Sequence, residues 1–331
     1  MRYIIYTTLL ITFIISCSKS DFTPIENNNT NDNDSIYLNL DSLGITVDSL
    51  GNYIDSLGNT VVIDSLGNII IIDSITITIP SGIGYYFNDD NDIFKTTDSG
   101  ISWSLQYDFE ESDEIEEIDF INETTGYLTD SRNIFKTTDS GISWFKVYSH
   151  LEEDDEINGI DFVNETTGYL IDDRKLFKTT DSGVSWFLQF SLGESDPEID
   201  DISFVNETTG YLTDSRNIFK TTDSGISGIE QYYVDEKYQE INGISFVNET
   251  TGFYIDDTNI YKTTNSGISW SLQCDFEESD EIEEIDFVNE TTGYLTDERN
   301  IYKTTDAGVS WLLQYSFGES DPEIEGISFV N

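Results

Sequence analysis

The chain is poor in the groups from which many active sites are built. Its 331 residues include one histidine (His150), one methionine (Met1), two cysteines (Cys17 and Cys274) and four prolines. One histidine excludes a multi-histidine active site or metal site, and two cysteines allow at most one disulfide, so this is no disulfide scaffold. Cations are scarce as well: 15 Lys+Arg stand against 65 Asp+Glu, a formal net charge of −50. Nucleic-acid binders draw their affinity from Lys and Arg that neutralise phosphates, so that class is excluded. Docking on an anionic lipid surface through a basic patch is excluded on the same ground. Aromatic residues, by contrast, are abundant: 20 Phe, 19 Tyr and 5 Trp. A disordered acidic tail would be aromatic-poor, so most of the chain is expected to fold.

The N-terminus reads as an address. Arg2 supplies a positive start, and Tyr3 to Ile15 is an apolar run too short to span a bilayer comfortably. It ends in Ile14-Ile15-Ser16-Cys17, which resembles a bacterial lipobox. The resemblance implies lipid attachment at the Cys17 thiol, removal of residues 1–16, and an outer-membrane lipoprotein on the periplasmic or cell-surface side. The lipid would be the only membrane contact. An ordinary signal peptide that contains a Cys is the alternative. Cys274, at a strand position held by Tyr107 and Phe190 in other repeats, is expected to be a lone thiol.

Residues 17–40 read as a lipid anchor and flexible tether, rich in Asn, Asp, Ser and Thr. Residues 41–83 carry Asp-Ser-Leu-Gly at Asp41, Asp48, Asp55 and Asp64 and Asp-Ser-Ile at Asp73, with Val/Ile runs between. Turns at the Asp-Ser and Gly-Asn pairs and short strands in the runs are expected, giving a stalk. Asp-Ser-aliphatic also resembles the O-glycosylation acceptor of exported proteins in some Gram-negative lineages, with Ser42, Ser49, Ser56, Ser65 and Ser74 as acceptors.

Residues 84–331 are a tandem array. Thr-Thr-Asp-Ser-Gly or a close variant recurs with its third residue at Asp98, Asp139, Asp181, Asp223, Asn265 and Asp306, spaced by 41 or 42. A period in the forties made of strand-like segments predicts a β-propeller, an all-β fold with one four-stranded blade per repeat. In the third copy strand a is predicted over Ile157–Val163, strand b over Gly168–Ile171, strand c over Lys175–Thr180 and strand d over Ser185–Phe190. Six b, c and d strands start from Gly84, and six a strands follow, so the last can close the first blade. Ile75–Ile79 competes for that seat. If it wins, the array is a truncated piece of seven or more blades.

Thr96-Thr97-Asp98-Ser99-Gly100-Ile101-Ser102-Trp103 resembles the Asp-box, or BNR repeat. The resemblance implies structural roles for Asp98, Gly100 and Trp103, and likewise for Asp139, Gly141, Trp144, Asp181, Gly183, Trp186, Asp223, Gly225, Asn265, Gly267, Trp270, Asp306, Gly308 and Trp311. Asp would accept backbone N–H groups in the c–d turn and Gly would take a left-handed conformation. The fourth copy has Gly228 in place of Trp, so its outer strand is expected to be the weakest. With Phe-x-Asn-x-x-x-Gly-Tyr-Leu before it, the unit is similar to propellers of the photosystem II stability/assembly factor type. That likeness speaks for fold and not for function.

The b–c hairpins and d–a loops share one face, where propellers commonly bind. Of the 65 acids, 24 lie in the d–a loops. Arg132, Arg174, Arg216 and Arg299 recur at one hairpin position. They read either as partners of nearby carboxylates or as a ring that meets an anionic or peptide ligand. The strand c lysines (Lys95, Lys136, Lys178, Lys220, Lys262, Lys303) read as a solvated blade face. A sialidase-type reading would need an Arg triad on one substrate, and here the Arg are spread around a rim. The reading reached is a non-enzymatic binding or assembly scaffold for a protein or glycan ligand, with no cofactor, no catalytic residue and no dedicated metal site. Weak Ca²⁺ binding by the acidic loops fits their chemistry. The alternative is a glycan-processing hydrolase of the Asp-box (sialidase-like) superfamily.

Overall fold

Within each repeat, apolar residues alternate in short runs, and the turn residues between runs send the chain back antiparallel. In the computed structural model, the described residues are 82–109, 114–149, 156–193, 197–234, 240–276, 282–318 and 321–330, with the strands Ile14–Ser16, Thr46–Val47, Tyr53–Ile54, Thr60–Ile63 and Ile69–Ile71. The array forms six four-stranded antiparallel blades. Blade 1 has strands b, c and d at Ile83–Asn88, Asp92–Thr96 and Ser104–Asp108. Its strand a is the C-terminal Ile324–Val330, which pairs with Ile83–Asn88 from Ile324↔Asn88 to Val330↔Ile83. The six-blade reading with C-terminal closure is therefore the one that forms. Ile75–Ile79 lies outside the described residues.

Blade 2 comprises Ile115–Phe120, Gly126–Asp130, Asn133–Thr137 and Phe145–Ser149. Blade 3 comprises Gly159–Phe162, Gly168–Asp172, Lys175–Thr179 and Phe187–Ser191. Blade 4 comprises Asp201–Phe204, Gly210–Thr213, Asn217–Thr221 and Ile229–Tyr233. Blade 5 comprises Gly243–Phe246, Gly252–Ile255, Asn259–Thr263 and Ser271–Asp275. Blade 6 comprises Glu284–Phe287, Gly293–Thr296, Asn300–Thr304 and Ser310–Ser316. The a strands touch in a closed circuit, each against the next blade's. Strands b are buried but for Ile83, whereas the d strands of blades 1–5 are largely exposed. Strand d of blade 3 starts at Phe187 rather than Ser185, because Ser185 and Trp186 complete the preceding turn. Strand d of blade 4 forms over five residues like its neighbours, despite Gly228.

One side-chain stack repeats at every seam between blades. Tyr85 of blade 1 lies flat on Phe120 of blade 2, with ring centroids 3.4 Å apart and planes 3° from parallel. Tyr127–Phe162, Tyr169–Phe204, Tyr211–Phe246, Phe253–Phe287 and Tyr294–Phe329 repeat it. The last pair joins blade 6 to the closing strand. Behind each Phe sits a strand b glycine. A Cβ added at Gly168 would lie 2.6 Å from the Phe162 ring, and one at Gly126 2.7 Å from Phe120. In front of each Tyr sits a lysine: Lys95 Nζ is 5.2 Å from the Tyr85 centroid, and Lys178 Nζ 5.2 Å from that of Tyr169. Face-to-face rings repel through their quadrupoles, and a cation over the outer face offsets this. Lys178, Lys220 and Lys262 also donate to the Glu207, Glu249 and Glu290 carbonyls of the next blade, at 2.6, 3.0 and 3.1 Å. Burial holds Lys95, Lys136, Lys178, Lys262 and Lys303 below the usual lysine pKa. This corrects the reading of these lysines as a solvated face.

The N-terminal unit forms its own antiparallel meander, Thr46–Val47, Tyr53–Ile54, Thr60–Ile63 and Ile69–Ile71, with the Asp-Ser-Leu-Gly segments between strands. Ser42, Ser49, Ser56, Ser65, Ser74, Cys17 and His150 lie outside the described residues. Ile14–Ser16 adds antiparallel to the outer edge of blade 6, against Ser310–Leu312. Cys274 is buried and disulfide-bonded, which corrects the expectation of a lone thiol. The chain holds only two cysteines, so an intrachain disulfide of Cys274 and a lipid on Cys17 exclude each other.

The stack sets a test. Gly168→Ala pushes a methyl into the Phe162 ring and is expected to cost about 1–3 kcal/mol of unfolding free energy. Gly228→Ala, whose Cβ would meet nothing closer than 3.7 Å, should be neutral or slightly stabilising. Denaturant midpoints of the two variants check the contrast.

Candidate functional site

Each c–d turn is built on the Thr-x-Asp-x-Gly-x-Ser pattern. Thr96 Oγ1 donates to Asp98 Oδ1 at 2.8 Å and accepts the Gly100 N–H at 3.0 Å. Asp98 Oδ1 accepts the Ser102 N–H at 2.9 Å, and Oδ2 accepts the Ser102 hydroxyl at 2.6 Å. Ser99 and Gly100 take φ of +63° and +89°. The same network is centred on Asp139, Asp181, Asp223 and Asp306. Asn265 keeps it by turning donor, from Nδ2 to Ser269 Oγ at 2.8 Å. The serine hydrogen bonds hold Asp139 and Asp181 below the ordinary Asp pKa. At Asp98 and Asp306 burial pushes upward, but the summed hydrogen bonds outweigh it and the net shift is again downward. The box residues thus build the turn.

The b–c hairpins contain a clasp that sequence reasoning missed. Asp130 Oδ1 accepts the Arg132 and Asn133 N–H groups at 2.8 and 2.6 Å, and both its oxygens accept from Asn133 Nδ2. Asp214, Asp256 and Asp297 repeat the Asp-x-x-Asn clasp. A buried Asp three residues before an Asn in four of six repeats was its signal. The four hairpin arginines do not converge. Arg174 pairs with Glu198 at 2.8 Å and Arg299 with Glu323 at 2.9 Å, both on the d–a loop of the same face. None of the four is without a partner. Such half-exposed pairs stabilise by about 0–1 kcal/mol. The tips of the acidic loops lie outside the described residues.

The feature that stands out chemically is the bore, which sequence reasoning also missed. At the Asp/Ser position of Ile-Asp/Ser-Phe, each a strand sends a side chain to the next blade. Asp119, Asp286 and Ser328 accept the N–H groups of Phe162, Phe329 and Phe120 at 2.6, 2.6 and 2.9 Å. Asp161 accepts that of Phe204, and Ser203 and Ser245 accept those of Phe246 and Phe287 at 2.9 Å. The circuit closes after six steps. Two residues earlier, acids and glycines alternate: Glu117, Gly159, Asp201, Gly243, Glu284, Gly326. Each acid in this row has a threonine opposite on strand b (Thr129, Thr213, Thr296), and each glycine has Ile171, Ile255 or Phe87. Asp201 and Glu284 reach across the neighbouring glycine to the Ile244 and Ile327 N–H groups, at 2.7 and 2.6 Å. Comparing the six copies at this one column would have revealed the alternation.

The bore and its mouth enclose about 370 Å³. Glu116, Asp200, Glu283 and Glu325 join the lining, which among the described residues includes no Lys or Arg. Burial, then mutual repulsion, holds Glu117, Asp161 and Glu284 well above the carboxylate range. Burial raises Asp119 and Asp201 to about 7, and Asp200 and Asp286 to about 6. Among the described residues no group of three or more His, Cys, Asp or Glu is disposed to hold a metal ion.

The fold and its repeated turn define a six-bladed β-propeller, like the photosystem II assembly factors in architecture. YCF48 bound to D1 peptide is 14% identical over 75% of this chain and 87% of its own, with a TM-score of 0.52. YCF48 from Cyanidioschyzon merolae is 12% identical over 75% and 96%, with a TM-score of 0.50. A chain of the nidogen/laminin complex is 12% identical over 75% and 98%, with a TM-score of 0.60. These likenesses are of fold. No family model matches the chain, and no curated protein matches it.

The two sets of shifted carboxylates pull stability in opposite directions with pH. Bore acids with raised pKa bind more protons folded than unfolded, so stability rises as pH falls from 8 to about 5. Box aspartates with lowered pKa lose their contribution as pH falls through the unfolded value, about 3.9, and below. Thermal unfolding should therefore peak near pH 5, about 5 °C or more above pH 8. Asp119→Asn, which can still accept the Phe162 N–H, should flatten the pH 5–8 limb.

Proposed function

We propose that this chain is a bacterial outer-membrane lipoprotein whose propeller binds a protein or glycan ligand without transforming it. The leader ending at Cys17 supports the anchor, and the repeat-rich residues 41–83 support a stalk that carries the head outward. Removal of residues 1–16 would take away the strand Ile14–Ser16 and leave the outer edge of blade 6 free.

One observation carries the non-enzymatic reading. The recurring polar side chains spend their oxygens on the protein itself. Box aspartates, hairpin aspartates and five bore acids (Asp119, Asp161, Asp201, Glu284 and Asp286) accept backbone N–H groups that hold turns and blades together. Acid–base chemistry needs a carboxyl group aimed at substrate. What the surface offers a partner is a large excess of acidic residues at the bore mouth and d–a loops. Away from that face, the box turns and outer strands carry exposed apolar side chains, such as Ile142, Phe187, Leu188, Ile226, Ile229 and Ile268, each at least half exposed. The excess of negative charge on the d–a face suits a basic polypeptide. YCF48, whose structure carries a D1 peptide, supports peptide binding as a use of this architecture.

The test combines binding and turnover on the mature chain. A labelled lysine-rich peptide should bind saturably and weaken steeply with salt, while a glutamate-rich peptide should not bind. Aryl glycosides and sialosides should show no turnover. Turnover abolished by a single substitution such as Glu117→Gln would establish the hydrolase instead.

A further inference from the structure

Five blades seat an indole at one place, and the sixth leaves that place open. Trp103, Trp144, Trp186, Trp270 and Trp311 each meet the strand a Phe of their own blade edge-on, with centroids 5.8–5.9 Å apart. In four of them the indole N–H donates to the carbonyl of the turn glycine, at 3.1–3.2 Å. Blade 5 shows the full seat: Trp270 lies against Tyr232 of the preceding blade and against Tyr254 and Phe246 of its own.

Blade 4 has Gly228 at this position. One repeat earlier than Tyr232, Tyr254 and Tyr261 stand Phe190, Leu212 and Phe219, and these three line a cavity of about 80 Å³ that runs to Gly228. Its walls are almost wholly apolar, and Gly228 itself is exposed, so the seat communicates with solvent. The Gly225 carbonyl occupies the place that accepts an indole N–H in four sister blades. Leu176 leans over Gly225, where the other c strands carry Ile93, Ile134, Ile218, Ile260 and Ile301. It takes part of the space, and its methyl group can swing back toward the position of those isoleucines. Apolar cavities of about 150 Å³ stay dry and take up benzene.

We propose that the slot between blades 3 and 4 binds an indole ring, presented as an exposed tryptophan side chain of a protein ligand. The sister blades identify the occupant: the same turn and the equivalent walls already hold tryptophan five times in this molecule, four times with the same carbonyl as acceptor. The source of the ring rests on the protein-binding reading above; the chemistry of the slot does not.

The experiment titrates N-acetyltryptophanamide and free indole into the full mature chain, read by ligand-observed NMR and by the shift in melting temperature. N-acetylleucinamide is the control. The wild type and Gly228→Ala should bind N-acetyltryptophanamide saturably, and Gly228→Trp, which fills the seat from within, should weaken binding by about tenfold or more and melt higher. Should Gly228→Trp not fold, Leu212→Trp fills the same space from the opposite wall and gives the same reading. No saturable binding by the wild type, or equal binding by the filled variant, overturns the proposal. Binding of free indole alone overturns the side-chain source. Salt-sensitive peptide binding at the bore mouth uses other residues, so failure of either site leaves the other measurable.

Discussion

The ring stands on one hydrogen bond made six times. The backbone N–H of the strand a Phe in each blade is accepted by an Asp or Ser from the blade before it. An unsatisfied N–H at the inner edge of a blade would be costly, and a closed circuit leaves none of the six orphaned. The same Phe then carries the seam: Tyr or Phe on one face, glycine on the other, Trp at the edge in five blades. Each member constrains the next, so the fold tolerates little change at Phe, at the strand b glycine or at the accepting Asp/Ser. It tolerates much more on the outer strand and in the acidic loops.

Much of this was legible in the sequence because the period was. Six copies at 41–42 residues set the number of blades, and a spare Ile-x-x-Ile-x-Phe at the C-terminus indicated how the first blade is completed. The box turns followed from Asp, Gly and Ser at fixed offsets. The seam was not legible, and the bore's alternation only by aligning the copies column by column, because both arise between blades, from residues about one repeat apart in sequence. Lys178 looks solvated on its own strand and becomes an interblade donor only when Glu207 is brought to it. Glu117 and Gly159 look unrelated until adjacent a strands put them in one row. Gly228 was read as a weak strand, yet the strand forms and the loss appears as empty volume between blades.

The net charge of −50 also acquires structure. The box aspartates are ionised and held by hydroxyl and backbone donors. The bore acids are crowded together in a lining with no Lys or Arg among the described residues, and burial with like charges pushes them toward the neutral form. Of the loop acids on the same face, Glu198 and Glu323 pair with hairpin arginines. One composition thus serves three physical roles, and only the bore mouth and the loops are left to face a partner.

The central claim is that the ring is closed by the C-terminal strand and is held equally at all six joints. Amide hydrogen exchange at Phe120, Phe162, Phe204, Phe246, Phe287 and Phe329 tests it directly. The account predicts that all six exchange at one slow rate set by global unfolding. Faster exchange at Phe120 and Phe329, the amides on either side of the closing strand, would contradict it.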